Sequence, residues 1–196
     1  MTTRISSSRT PAFRWALLAC ASSFLLSNCA SPRQIPAPLK PKDPAEGSYW
    51  NGDSMTGSPS VRISLNDQKA YFYKDGKLAG VSAISTGREG LDTVTGHFHI
   101  IQKDRDHRSS IYGDYVDDGG NVVKAEVDNT KDAKPPGSHF VGSPMPFFMR
   151  VVGGTGMHEG YLPGYPASHG CIRMPGFMAE DFFNATSVGT PVTIAE

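Results

Sequence analysis

Residues 166–175 read PASHGCIRMP, a cysteine set between His169-Gly170 and Ile172-Arg173. A thiol attacks a carbonyl only as its thiolate, and a free one, with a pKa of about 8.5, is mostly protonated at neutral pH. A neighbouring imidazole corrects this by taking the proton and later handing it to a leaving amine. Two histidines qualify. His169 stands two residues before Cys171, and in an extended segment their side chains share a face. His158 lies farther back, beyond a loop carrying Gly160, Pro163, Gly164 and Pro166 that is able to fold it against the cysteine. Spacing alone does not choose between them.

The choice of chemistry depends on where the other cysteines go. The segment MTTRISSSRTPAFR has arginines at 4, 9 and 14 and no acid, WALLACASSFLL follows, and SNCAS closes the run. That is the three-part layout of a secretory signal, too short to span a bilayer. It also resembles a bacterial lipoprotein signal, with Cys29 as the lipidated first mature residue; Cys20 has only about five apolar residues upstream, short of the usual h-region. Residues 1–28 are therefore expected to be the signal. Residues 29–58, rich in proline, read as an extended tether that holds a domain off a surface. Ala30-Ser31 after the cysteine favours the outer membrane where the cell has one. The protein is expected on the periplasmic side of the envelope, lipid-anchored. Cys171 is then the only thiol of the folded part, so a disulfide within the domain is excluded.

The elements that must position this thiol are mostly strands. The chain has 196 residues, 19 basic and 19 acidic side chains, 21 glycines and 15 prolines. The balanced charge offers no footprint for nucleic acid. SVRISL (60–65), KAYFYK (69–74) and KLAGVSAIST (77–86) alternate and are joined by turn residues, a β-meander. Further strands are expected at 97–103, 147–153 and 191–195, with a hairpin turn at Asp118 to Asn121. One short helix is expected over 175–184, with Met178 and Phe182 on its apolar face. The class is mainly β, a sandwich or barrel-like sheet with one short helix near the C-terminus. His97 and His99 match no zinc signature, the acidic run at 114–121 lacks a calcium-loop pattern, and no phosphate or nucleotide loop is present. No metal and no cofactor are expected.

The motif SHGCIRM, with GMHEG upstream, resembles the signature of the L,D-transpeptidase catalytic domain, the YkuD domain. QKAYFYKDGKLAGVSAISTG resembles that family's early hairpin, DTVTGHFHI its Thr-Pro-Thr-Gly-x-Phe segment with Val94 in place of proline, and MPFFMRVVGGTGMHEG its approach to the histidine. The similarity runs from about residue 60 to 194, within an expected catalytic domain at 59–196.

The resemblance implies a cysteine acyltransferase of peptidoglycan, with Cys171 as nucleophile and His158 as proton acceptor and donor. The thiolate would attack a diamino-acid carbonyl in a tetrapeptide stem and release D-alanine. A second stem's amine would resolve the thioester into a 3–3 crosslink. Water as acceptor would make it an L,D-carboxypeptidase, and a protein amine an attachment or release enzyme. A non-catalytic wall-binding lipoprotein is the rival of another class. Backbone N–H groups around Gly170 and Cys171 are the natural oxyanion donors. Ser168 and His169 are expected to hold loop and substrate, and Arg173 to steady the site or bind a substrate carboxylate. The expected partners are stem peptides and, through the lipid, a membrane.

Overall fold

This computed structural model describes residue 43 and residues 45–196. The expected signal, with Cys20 and Cys29, lies outside the described residues, as does most of the expected tether.

Alternation in the sequence produces the first hairpins. Strands β1 (Tyr49–Trp50), β2 (Pro59–Ser64), β3 (Lys69–Lys74) and β4 (Lys77–Ala83) pair antiparallel in the order β1-β4-β3-β2. Val61, Ile63, Ala70 and Phe72 point to one buried face. Between β3 and β4, Asp75 and Gly76 both take positive φ (46° and 73°), the conformation that a two-residue hairpin turn demands. The sheet is completed by β13 (Pro191–Ala195), parallel to β2, and by β5 (Gly96–His99), antiparallel to β13.

The second sheet holds β6 (Gln102–Asp104), β10 (Phe148–Val152), β11 (Thr155–Glu159) and β12 (Ile172–Met174) in the order β12-β11-β10-β6. Its β11–β12 pair is parallel, with Met157 opposite Ile172 and His158 opposite Arg173. Met149, Val151, Met157, Ile172 and Met174 face the first sheet and share one apolar core with Val61, Ile63, Phe72, Val192 and Ile194. The helix α1 (Gly176–Ala185) adds Met178, Ala179 and Phe182 to that core. Its C-terminal carbonyls are met by Lys103, whose Nζ donates to Phe183 O at 2.5 Å and Thr186 O at 2.6 Å. A third sheet, β8-β7-β9, is built from β7 (Arg108–Asp117), β8 (Val122–Asp128) and β9 (Ser138–Pro144).

The described residues are therefore mainly β with one short α-helix near the C-terminus, as the pattern indicates. The single strand expected over 97–103 divides instead at Ile100. Its N–H bonds Thr190 O while that of Ile101 bonds Arg150 O, so consecutive residues pair with different sheets. The folded body also begins before residue 59, within the stretch read as tether. Trp50 lies edge-on to Phe72 (4.9 Å between ring centroids) and near Phe182 (5.9 Å), and its Nε1 donates to Asp53 Oδ1. An aromatic anchor of this size offsets the chain entropy of fixing a short strand.

Trp50→Ala is expected to lower the unfolding free energy by about 3 kcal/mol, read from urea unfolding. A loss below about 1 kcal/mol would show that residues 49–57 do not belong to the folded body.

Candidate active site

Side chains alternate along a strand, so the core-facing residues of the second sheet fix what its other face carries. Met157, Ile172 and Met174 point into the core; His158, Cys171 and Arg173 therefore point outward together. Across β10 and β11, Met149 is opposite Met157 and Arg150 opposite Gly156. Carried across the sheet, these registers define two neighbouring rows on the outer face. One runs Arg150, Gly156, Cys171; the next runs Phe148, His158, Arg173. Cys171 and His158 are thus diagonal neighbours, with Cα atoms roughly 8 Å apart by strand geometry.

His158 is 6 % exposed, and its Nδ1 lies 2.6 Å from Glu159 O. A carbonyl only accepts, so Nδ1 carries the proton and Nε2 keeps its lone pair free. Burial pulls the His158 pKa down to about 4, with Arg173 and His107 adding to the effect and the Glu159 bond opposing it. Burial likewise pushes the Cys171 thiol up, against the N–H of Gly156 and the charges of Arg150 and Arg173. The thiol donates to Gly154 O at 3.5 Å. The resting pair is neutral thiol and neutral imidazole, with no hydrogen bond between them. Desolvation disfavours both charged forms.

The loop before Cys171 is fastened on every side. Ser168, fully buried, donates through Oγ to Cys171 O at 2.5 Å and accepts from Gly170 N–H at 3.0 Å. Thr93 Oγ1 donates to Gly170 O at 2.9 Å and accepts from Gly87 N–H. Ser85 and Arg173 exchange backbone bonds at 3.0 Å, and Ser168 N–H bonds Thr86 O. Gly170 sits at φ +109°, open to glycine alone at little cost. Its N–H donates to Ser168 Oγ, and Gly170 shapes the turn.

The same turn separates His169 from Cys171. The segment is not extended at Gly170, so the two side chains need not share a face. The His169 ring stacks on Tyr112 (4.1 Å) and its Nε2 accepts from Arg88 Nη2 at 3.0 Å. That lone pair is occupied, and burial with Arg88 and Arg173 lowers its pKa. His169 therefore ties the cysteine loop to the third sheet, leaving His158 as the available base. Arg173 is half-buried, and its guanidinium has no hydrogen-bond or ion-pair partner among the described residues. Its stem passes so close to Gly160 that a Cβ there would meet its Cγ at 2.9 Å.

Two contributors escape a linear reading. Arg150 reaches the site only through lateral pairing, 21 residues before the cysteine. Gly156 is a glycine because a Cβ would meet the Phe148 ring at 2.5 Å and Met149 O at 2.7 Å. A Gly two residues before a histidine in a short strand is the only sequence signal of it.

The family model of the L,D-transpeptidase catalytic domain, YkuD, matches residues 58–194. An L,D-transpeptidase from Stackebrandtia nassauensis is similar with a TM-score of 0.53 at 19% identity, over 72% of this chain and 57% of that one. One from Mycobacterium smegmatis gives 0.54 at 16% identity, over 71% and 59%. A cysteine-to-serine mutant of the Enterococcus faecium L,D-transpeptidase gives 0.51 at 24% identity, over 71% and 50%. The chain thus spans between half and three-fifths of the length of these structures, and at such identities the likeness is one of fold. No curated protein matches the chain.

The buried imidazole makes stability depend on pH with a definite sign. Its folded pKa, about 4, lies below the 6.5 of an unperturbed histidine. As pH falls between these values the unfolded chain takes the proton first, so stability complete above about 6.5 is lost down to about 4. The total is about 3 kcal/mol. Urea unfolding from pH 7.5 to 3.5 is expected to show this slope, and His158→Gln to remove it. An equal slope in the variant would show that His158 is solvated in the fold.

Proposed function

The chain belongs to the YkuD family of L,D-transpeptidase catalytic domains, and from that premise we propose that it is a cysteine-dependent L,D-transpeptidase of peptidoglycan. The observation that carries the reading is the outward-facing diagonal of Cys171 and His158, one a half-buried thiol and the other a buried imidazole with a free Nε2. The tetrapeptide stem of the donor supplies the carbonyl. As the Cys171 sulfur bonds to that carbon, its proton passes to His158 Nε2 and the C=O pair moves onto oxygen. The tetrahedral adduct collapses, the peptide C–N bond breaks, and the His158 proton leaves with the amine of D-alanine. A thioester remains. An amine of a second stem then attacks it, loses a proton to His158, and displaces the sulfur, which regains that proton. The product is a 3–3 crosslink, and the reaction is driven by the bond already present in the donor.

A neutral pair suits this cycle. The proton needs to move only when a carbonyl is in place, and the attack then creates charge beside Arg150 and Arg173 instead of requiring a standing ion pair. The same reading places the enzyme on the periplasmic side of the envelope, tethered by a lipid on Cys29.

Incubation with disaccharide-tetrapeptides is expected to release D-alanine and form 3–3 dimers, and Cys171→Ala to abolish both; activity in that variant would overturn the assignment. A carbapenem is expected to leave an acyl adduct on the Cys171 peptide by mass spectrometry. The rate of that acylation is expected to stay level from neutral pH down to about 5 and fall near 4, the pKa of His158. His158→Ala should slow it about a hundredfold or more. An acid limb near 6.5 would mean that a solvated histidine, not this buried one, takes the proton.

A further inference from the structure

Gly170 and Cys171 each carry one backbone N–H and one C=O, and all but one of these groups are matched inside the fold. Gly170 N–H donates to Ser168 Oγ at 3.0 Å, Gly170 O accepts from Thr93 Oγ1 at 2.9 Å, and Cys171 O accepts from Ser168 Oγ. The N–H of Cys171 has no acceptor among the described residues. An open backbone donor beside a thiol, in a turn otherwise fully paired, calls for an explanation. Planarity gives its direction. The peptide between Gly170 and Cys171 is trans, so its N–H points opposite to its C=O. With the carbonyl turned to Thr93, the N–H is turned away from the loop that carries Thr93. Behind that carbonyl the donors run one way. Gly87 N–H donates to Thr93 Oγ1 at 2.9 Å, and the buried Thr93 hydroxyl donates in turn to Gly170 O. Residue 87 is glycine because a Cβ there would meet Leu91 O at 2.1 Å and Thr93 N at 2.7 Å. Hydrogen bonds in series polarise one another, and burial keeps water from competing. A bond to an amide oxygen draws electrons toward it and leaves the N–H of the same peptide a stronger donor.

We infer that Thr93 is a positioning residue for the reaction: through the Gly170 carbonyl it aims and polarises the Cys171 N–H, which meets the oxyanion as the thiol attacks. The inference rests on the transpeptidase reading, which needs an oxyanion donor, and adds the residue that prepares one. Thiol and donor then belong to the same residue, so the negative oxygen forms beside the atom that creates it. Ser168 does not replace Thr93 in this role. Its hydroxyl holds the groups that flank the Gly170–Cys171 peptide, Gly170 N–H and Cys171 O, and leaves the peptide itself untouched. Thr93 alone among the described side chains bonds that peptide.

The test sets two reactions of one sulfur side by side. Acylation by a carbapenem puts negative charge on a carbonyl oxygen. Alkylation by iodoacetamide forms an S–C bond as the C–I bond breaks, iodide leaves, and no oxyanion arises. Thr93→Val keeps the shape of the side chain and removes the hydroxyl. It is expected to slow acylation about tenfold relative to alkylation, short of the hundredfold or more that outright loss of an oxyanion donor costs. Thr93→Ser is expected to restore the wild-type ratio. Both reactions draw on the same thiolate, so a change in its availability cancels in the ratio. Thermal midpoints report whether each variant folds, and Thr93→Ala takes the place of a Thr93→Val that does not. A hydroxyl-free variant with the wild-type ratio, or a Thr93→Ser enzyme no better than it, overturns the inference and leaves the transpeptidase reading standing. A wild-type enzyme that iodoacetamide alkylates and a carbapenem fails to acylate overturns both.

Discussion

The site depends on one pairing, the parallel register of β11 and β12. Because Met157 lies opposite Ile172, burying those two side chains obliges the residues on either side to turn outward. Slippage of that pair by one residue would carry Cys171 and Arg173 into the core and lift Ile172 into solvent. The hydrophobic effect that closes the core is thus also what aims the Cys171 thiol. The hydrogen bonds of Ser168, Thr93 and Ser85 around the cysteine loop then remove the remaining freedom of the turn that delivers it.

Electrostatics on this face run counter to the overall charge balance. Arg150 and Arg173 act on the cysteine, Arg88 stands beside Arg173 and bonds His169, and among the described residues none has an acidic partner. Positive charge stabilises a thiolate, yet desolvation prevails, and the sulfur stays protonated. A neutral pair costs less to desolvate than an ion pair and protects the thiol from casual oxidation, since reactivity follows the thiolate.

What could be read from the chain beforehand followed the range of the interactions involved. The cysteine loop, the meander over 60–83 and the helix were legible because their information is contiguous: a motif, an alternation with its Asp75-Gly76 turn, an i to i+4 apolar pair. β11 and β12 were not, being five and three residues long and interrupted by glycine or flanked by proline. The break at Ile100 was hidden because both halves alternate equally well, and only their partners differ. His169 looked equivalent to His158 until Gly170 turned the chain between it and the cysteine. Arg150 could not be found from spacing at all, because three strands must assemble before it faces the sulfur.

β13 gives the larger sheet a particular folding history. It joins β2 to β5, so Val192 must find Val61 across more than a hundred residues of chain before the two halves of that sheet become one. Closing so wide a loop precedes any reward from pairing, which places the domain among slow folders of high contact order. Until that strand docks, β2 and β5 each offer a bare edge to any neighbouring chain. A molecule interrupted before Pro191 would keep those edges permanently and would be removed by aggregation or proteolysis before it met a substrate.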